Sequence, residues 1–129
     1  MEGLRNIADD LFFEACILKY GSRCIICGKV YGKAHHFYPK GQYQHLRYDL
    51  DNGINLCILH HLMIHQTGDK KEIEEEIKKI RGKEWFDSLR KRANNIPSSF
   101  KNEKWYKENI TRLKRYIYEK QKEYNQTNS

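Results

Sequence analysis

Four metal-binding side chains occur as two pairs with the same spacing. Cys24 and Cys27 are separated by two residues and followed by Gly28, and Cys57 and His60 repeat that spacing further along the chain. A two-residue gap places both side chains of a pair on one side of a tight turn, and two such pairs can surround one tetrahedral Zn²⁺. Gly28 supplies the backbone freedom that this turn needs. The pattern predicts a structural Cys3His zinc site that ties the start of the fold to its middle.

A second group of histidines does not fit this zinc site. His35 and His36 are adjacent, and adjacent side chains on a strand point to opposite faces unless the strand ends or bulges there. His61 and His65 are four residues apart, which puts both on one face of a helix. His60 lies about 100° around the same helix from His61. The sequence therefore predicts two separate metal sites, with His60 in the first and His61 and His65 in the second.

This order of residues resembles the HNH endonuclease superfamily and its ββα-metal motif. The matching stretch reads AHHFYPKGQYQHLRYDLDNGINLCILHHLMIH and is preceded by CIICG. Asn52 precedes His61 by nine residues and His65 by thirteen, a spacing similar to that of colicin-type nucleases and of small phage HNH proteins with paired cysteines. The resemblance covers residues 22–66, and the flanking helices lie outside the motif.

The resemblance implies a role for each of five residues in phosphodiester hydrolysis. His36 would be the general base that takes a proton from the attacking water, because an imidazole has an ordinary pKa of about 6.5. Asn52 would brace the loop and keep His36 oriented. A catalytic divalent metal would neutralise the charge that builds on the scissile phosphate and on the departing 3′ oxygen. Its ligands would be His35, His61 and His65.

The chain departs from the family at His35, because other members often carry Asp at that position. An all-histidine site is softer than one that contains a carboxylate, so Mn²⁺, Ni²⁺ and Zn²⁺ join Mg²⁺ as candidates for the catalytic metal. Asn55 is near the right place as well. The spacing and the turn-like sequence Asp51-Asn52-Gly53 favour Asn52.

The charge of the chain favours an anionic partner. Lys and Arg number 24 against 17 Asp and Glu, which gives a formal net charge of +7, and nucleic acid is the commonest partner of such proteins. The resemblance to HNH endonucleases implies that this nucleic acid is DNA. Arg47, Lys40 and Lys33 lie close to the histidines in sequence and are expected to contact phosphates. Four glutamates within residues 72–76 would repel phosphate, so that segment is expected to face away. Both a monomer and a homodimer fit the sequence.

Flanking elements must position these residues, and the spacing of apolar residues predicts where they lie. It predicts a helix over residues 4–19 that Gly21 stops, with Cys16 as a buried thiol. Residues 69–125 are predicted to form helices that are interrupted around Asn94 to Pro97. Between these regions the pattern predicts a strand over 33–37, a loop over 38–51, a strand over 54–57 and a helix over 59–66.

The chain of 129 residues has the length of a single domain. The predicted domain joins an N-terminal helix (1–21), an HNH core (22–67) and a helical extension (68–129). Its fold class is α+β, mostly helical, with a small ββα-metal unit stapled by zinc. The predicted function is hydrolysis of DNA phosphodiester bonds, by nicking or by double-strand cleavage. The alternative is a zinc-stabilised module that binds nucleic acid without catalysis.

The N-terminal residues carry acids early and contain no long apolar core, so neither a signal peptide nor a membrane span is predicted. A cytoplasmic location is therefore expected, in the host cell if the protein is phage-encoded. In that reducing compartment the four cysteines are expected to be metal ligands or buried thiols rather than disulfides.

Overall fold

A computed structural model describes residues 1–30, 33–66 and 69–127, apart from the side chains of Lys33 and Gln66. Within these ranges helices dominate, and two short strands form one antiparallel sheet. The fold is therefore α+β and mostly helical, as predicted. The elements are α1 (Glu2–Tyr20), β1 (Lys33–His36), β2 (Gly53–Leu56), α2 (Ile58–Gln66), α3 (Lys70–Arg81), α4 (Lys83–Ala93) and α5 (Glu103–Thr127).

Helices α1 and α5 pack against each other and share one hydrophobic core. Phe12 and Cys16 of α1 and Tyr106 and Leu113 of α5 are buried in it. Cys16 is the buried thiol that the helical spacing predicted, and burial raises its pKa to about 12. The chain leaves α1 at Gly21, whose φ of 82° ends the helix. The long helix pair thus supports one side of the sheet.

The sheet places the paired histidines where β1 ends. His35 lies opposite Ile54 and His36 lies opposite Gly53 in the antiparallel register. A Cβ atom at Gly53 would lie 2.5 Å from Sγ of Cys16, a separation that packed atoms do not tolerate. Glycine at this position therefore lets α1 approach the sheet closely and brings His36 next to α1.

A second hydrophobic core lies on the other side of the sheet. Ile54 and Leu56 of β2 pack there with Ile73 and Ile77 of α3. One residue, Cys57, separates the end of β2 from the start of α2. The strand, the helix after it and the start of α3 are thereby held as one unit around the histidines.

The C-terminal helices break at one position that the sequence pattern did not predict. Gly82, with a φ of 96°, separates α3 from α4, and the spacing of apolar residues did not locate this break. The break lets α4 turn so that Leu89 packs against Leu46, which lies in the loop between β1 and β2. The expected interruption after residue 93 is confirmed, because α4 ends at Ala93 and α5 begins at Glu103.

Within the described ranges, no helix combines the length and the apolar character that crossing a lipid bilayer requires.

Candidate metal centres

The predicted zinc ligands come together in the structure. The ligand atoms of Cys24, Cys27, Cys57 and His60 all lie within 4.8 Å of one another. Nδ1 of His60 lies 3.2 Å from Sγ of Cys57 and 3.6 Å from Sγ of Cys24. The Sγ atoms of Cys27 and Cys57 are 3.7 Å apart. Zinc–sulfur bonds of about 2.3 Å in a tetrahedron separate two sulfurs by roughly 3.8 Å. These four residues can therefore hold a metal such as zinc, as predicted.

A tight turn presents the first pair of thiols. The N–H of Gly28 donates to the carbonyl of Cys24, and the N–H of Cys24 donates to the carbonyl of Lys29, both over 2.9 Å. Gly28 has a φ of 73°, a left-handed conformation in which a side chain is strained. Glycine thus lets the chain reverse directly after Cys27 and keeps both thiols on the same side of the turn.

The environment of Cys24 suits a thiolate. Burial raises the pKa of its thiol. Hydrogen bonds from the backbone at Cys57, Cys27 and Ile26 lower the pKa by more than burial raises it, to about 6. The thiolate is the form of cysteine that binds a metal ion. Cys27 is exposed, so a metal ion can reach the site from solvent without opening the fold.

The three other predicted ligands form a contiguous cluster. The rings of His35 and His61 stack with their centroids 3.7 Å apart and 22° between their planes. The ring of His65 meets that of His61 edge-on, with centroids 4.5 Å apart. The end of β1 and one face of α2 therefore meet at these histidines, while His60 on the neighbouring face of α2 belongs to the Cys3His group.

The chemistry of His61 suits a metal ligand. Its Nδ1 atom is buried and has no hydrogen-bond partner among the described residues. Burial, with the neighbouring charge of His65, lowers the pKa of His61, and this favours the neutral imidazole that metals bind. The donor atoms of His35, His61 and His65 are therefore of a type that binds a divalent metal. Among the described residues, however, only the Cys3His group has its ligand atoms within 4.8 Å of one another.

His36 lies against α1 and makes different contacts. Its ring stacks on that of Phe12, with centroids 5.1 Å apart and 7° between the planes. Its Nε2 lies 2.9 Å from the carbonyl oxygen of Arg47. Because a carbonyl only accepts, Nε2 carries the proton of the neutral ring and Nδ1 carries the lone pair. Burial lowers the pKa of His36 more than this hydrogen bond raises it, so the ring is neutral and can accept a proton at neutral pH.

The two candidate asparagines have different partners. Oδ1 of Asn52 accepts from the N–H of Tyr38 over 2.8 Å, and its Nδ2 donates to the carbonyls of Tyr38 and Leu46 over 3.1 and 3.4 Å. Asn52 is fully buried and joins the two ends of the loop that follows β1. Nδ2 of Asn55 instead donates to the carbonyl of Gly21. Asn52 is therefore the residue placed to brace this loop.

One cavity of about 420 Å³ borders both His36 and the cluster of His35, His61 and His65. Lys40 from the loop and Lys70 and Glu74 from α3 contribute to its wall. The expectation that the acidic segment faces away is wrong for Glu74, because Glu74 shares a helix face with Ile77, which is buried against the sheet. The histidines that line the cavity are His35, His36, His61 and His65.

The three cations expected to bind phosphate lie in different surroundings. Lys40 lines the cavity, and the side chain of Lys33 lies outside the described residues. The Arg47 side chain is 15% exposed, and its Nε and Nη2 lie 2.9 and 2.7 Å from the two carboxylate oxygens of Asp9. Asp9 thus occupies the forked face of Arg47 that was expected to bind phosphate. No short-range pattern links two residues so far apart in the chain, so sequence reasoning missed this partner.

Comparisons of the chain with protein-family models, with curated proteins and with solved structures found no significant match. The choice between functions therefore depends on the Cys3His group and on the cavity that the other histidines line.

Proposed function

We propose that the protein is a metal-dependent endonuclease of the HNH type that hydrolyses DNA phosphodiester bonds. One observation carries this proposal: a single cavity is lined by His36 and by the cluster of His35, His61 and His65. His36 offers a neutral imidazole for proton transfer, and the cluster offers three imidazoles for a metal ion. Metal-assisted phosphodiester hydrolysis needs both of these at one phosphate.

His36 would act through its Nδ1 atom. Its Nε2 proton is held by the carbonyl of Arg47, so the lone pair that accepts a proton from water is on the other ring nitrogen. The stack on Phe12 fixes the plane of the ring. Asn52 holds the loop that carries this carbonyl through its bonds to Tyr38 and Leu46. These contacts orient the base before substrate binds, which lowers the cost of reaching the reactive geometry.

A divalent metal bound by His35, His61 and His65 would stabilise the negative charge that develops on the phosphate and on the leaving oxygen. Three imidazoles favour Mn²⁺, Ni²⁺ or Zn²⁺ over Mg²⁺. The Cys3His group would hold a separate zinc ion with a structural role, since thiolates fill three of its four positions.

Two lysines supply positive charge at the cavity. Lys40 and Lys70 both line it, and the chain as a whole carries a formal net charge of +7. Nζ of Lys70 is 3.8 Å from Glu74 and its side chain is 54% exposed. So loose an ion pair adds little stability, and its ammonium group can turn to a phosphate. We assign both lysines to the DNA backbone.

A plasmid-nicking assay with Mg²⁺, Mn²⁺, Ni²⁺ and Zn²⁺ tests this function. We expect H36A to cleave at least about 100-fold more slowly than the parent at a temperature where both proteins are folded, with unchanged zinc content. The matched control is H45A, because His45 bonds the carbonyl of Arg92 and lies outside the lining of the cavity. If H36A cleaves as fast as the parent, His36 is not the base and the proposed mechanism fails.

A second function, nucleic-acid binding without catalysis, is favoured by a different observation. Among the described residues, the Cys3His group gathers its ligand atoms within 4.8 Å, and the histidine cluster does not. A zinc module of this kind would bind one metal per chain, would bind DNA in a salt-dependent way and would cleave it with none of the four metals. Metal counting on the protein used in the nicking assay separates the two functions.

A further inference from the structure

The peptide group between Arg47 and Tyr48 is held from both sides by one carboxylate. The guanidinium of Arg47 bonds both oxygens of Asp9, over 2.9 and 2.7 Å. The hydroxyl of Tyr48 donates to Oδ1 of the same carboxylate over 2.8 Å. Tyr48 is buried and the Arg47 side chain is 15% exposed, so neither side chain has room to leave Asp9 without disturbing its neighbours.

The carbonyl of this same peptide group accepts the hydrogen bond from His36. A planar peptide unit can still turn about the line that joins its two Cα atoms, so the direction of its carbonyl depends on how firmly the two flanking residues are held. The side chains of both residues are anchored on Asp9, and Asp9 lies on α1, which also carries Phe12, the ring on which His36 stacks. One helix therefore sets both the plane of the His36 ring and the direction of the acceptor for its Nε2 proton.

We infer that Asp9 is a positioning residue for His36, acting through the Arg47–Tyr48 peptide whose carbonyl fixes the Nε2–H tautomer of the imidazole. Asp9 touches neither substrate nor metal in this assignment. Without its carboxylate, the peptide group can rotate and the His36 ring can exchange its proton between Nδ1 and Nε2. The kinetic consequence rests on the proposed nuclease function, whereas the effect on the tautomer of His36 does not.

The experiment compares D9N with D49N, a matched control in the loop that carries the Arg47–Tyr48 peptide. Asp49 also makes a two-pronged ion pair, with Nε and Nη2 of Arg92 at 2.7 and 3.2 Å, but it does not contact the Arg47–Tyr48 peptide through that pair. The tautomer of His36 is measured by two-bond proton–nitrogen NMR correlation on zinc-loaded protein. The kcat and KM for plasmid nicking are measured on the same samples.

We expect a single Nε2–H tautomer at His36 in the parent and in D49N, and a mixture of tautomers in D9N. We expect kcat to fall by about 10- to 100-fold in D9N with little change in KM, since a base that is misplaced slightly loses rate rather than binding. Y48F removes one of the three bonds to Asp9 and should shift both quantities less, in the same direction. It keeps the buried ring, so it serves as the test if D9N does not fold.

Two results would overturn the inference: an unchanged His36 tautomer in D9N and Y48F, or equal losses of kcat in D9N and D49N. If the parent itself nicks no DNA, the proposed function fails, and the NMR comparison still decides whether Asp9 positions His36.

Discussion

The imidazole rings of His35 and His61 stack face to face with their centroids 3.7 Å apart, although one belongs to a strand and the other to a helix. Two imidazoles that share a metal ion at about 2.1 Å have ring centroids roughly 4.5–5.2 Å apart. His61 and His65, at 4.5 Å, already have that separation. A metal ion at this cluster would therefore part His35 from His61 and leave His65 close to its present place.

This relationship predicts the number of metal ions that each variant binds. We expect two metal equivalents per chain in the parent and one in H61A, because H61A removes the central ring of the cluster and leaves the Cys3His group intact. Substituting a residue that only contacts a metal ligand lowers metal affinity by roughly 10- to 100-fold. Removal of His61, a proposed ligand itself, should lower the affinity by more than this. The measurement is isothermal titration with Mn²⁺ or Ni²⁺ on zinc-loaded protein. H45A should keep both equivalents, and a parent that binds one metal equivalent in total, whichever metal is offered, would contradict the second site.

Zinc should stabilise the fold through the Cys3His group. Because a ligand that binds only the folded state adds RT ln(1 + [L]/Kd), each tenfold fall in free Zn²⁺ should lower the free energy of unfolding by about 1.4 kcal/mol near saturation. C57S should abolish this dependence, because Cys57 contacts both Cys27 and His60. The measurement is thermal unfolding in zinc buffers.

The matched control for C57S is C16A, which removes a buried thiol outside the metal site. We expect C16A to be less stable than the parent because of the lost packing, yet to keep the full dependence on zinc. Identical zinc dependence in C57S and the parent would show that the four residues hold no structural metal.

The Cys3His group and the histidine faces could be predicted because short-range geometry sets them. Two ligands with two residues between them lie on one side of a turn, and two residues four positions apart lie on one face of a helix. Neither relationship depends on contacts with distant parts of the chain. The predicted strands at 33–37 and 54–57 agree with the observed Lys33–His36 and Gly53–Leu56 to within one residue at each end. Local patterns therefore located the elements that carry the candidate sites.

Contacts between distant elements could not be predicted in the same way. The Asp9–Arg47 pair depends on how α1 packs on the loop, and the position of Glu74 depends on how α3 packs on the sheet. The break at Gly82 was missed because the apolar residues on either side keep a helical spacing. A glycine that ends a helix is recognised by its positive φ, which spacing does not reveal.

The close approach of α1 to β2 predicts a specific cost for a side chain at Gly53. G53A should lose about 1–3 kcal/mol of stability, since its Cβ would lie 2.5 Å from Sγ of Cys16 and 3.3 Å from the carbonyl oxygen of Leu50. Adding C16A should recover part of that loss, and a coupling of about 0.5 kcal/mol or more is expected. Urea unfolding of the four proteins in the cycle measures it.

The control for this cycle is G41A. A Cβ at Gly41 would meet nothing within 4 Å, so a change of no more than about 0.5 kcal/mol is expected. Purely additive effects of G53A and C16A would mean that the two residues do not constrain the approach of α1.

The ion pair of Asp9 predicts how stability responds to acid. Burial raises the pKa of Asp9. Hydrogen bonds from Arg47 and Tyr48, together with the charges of Arg47 and Lys40, outweigh this effect and bring the pKa below its ordinary value of 3.8. A carboxyl whose pKa is lower in the folded state stabilises the fold fully above its unfolded pKa. That stability is lost as the pH falls through the folded pKa.

D9N should therefore be less stable than the parent at pH 7, by about 1–3 kcal/mol because Arg47 loses a charged partner. The difference between the two proteins should shrink as the pH falls from about 5 to 3, since the parent then loses the same interaction by protonation. Urea unfolding at a series of pH values measures this. Acid also protonates the zinc ligands, but that loss is common to both proteins and cancels in their difference. A stability difference that stays constant down to pH 3 would mean that Asp9 ionises no more readily in the folded chain than in the unfolded one.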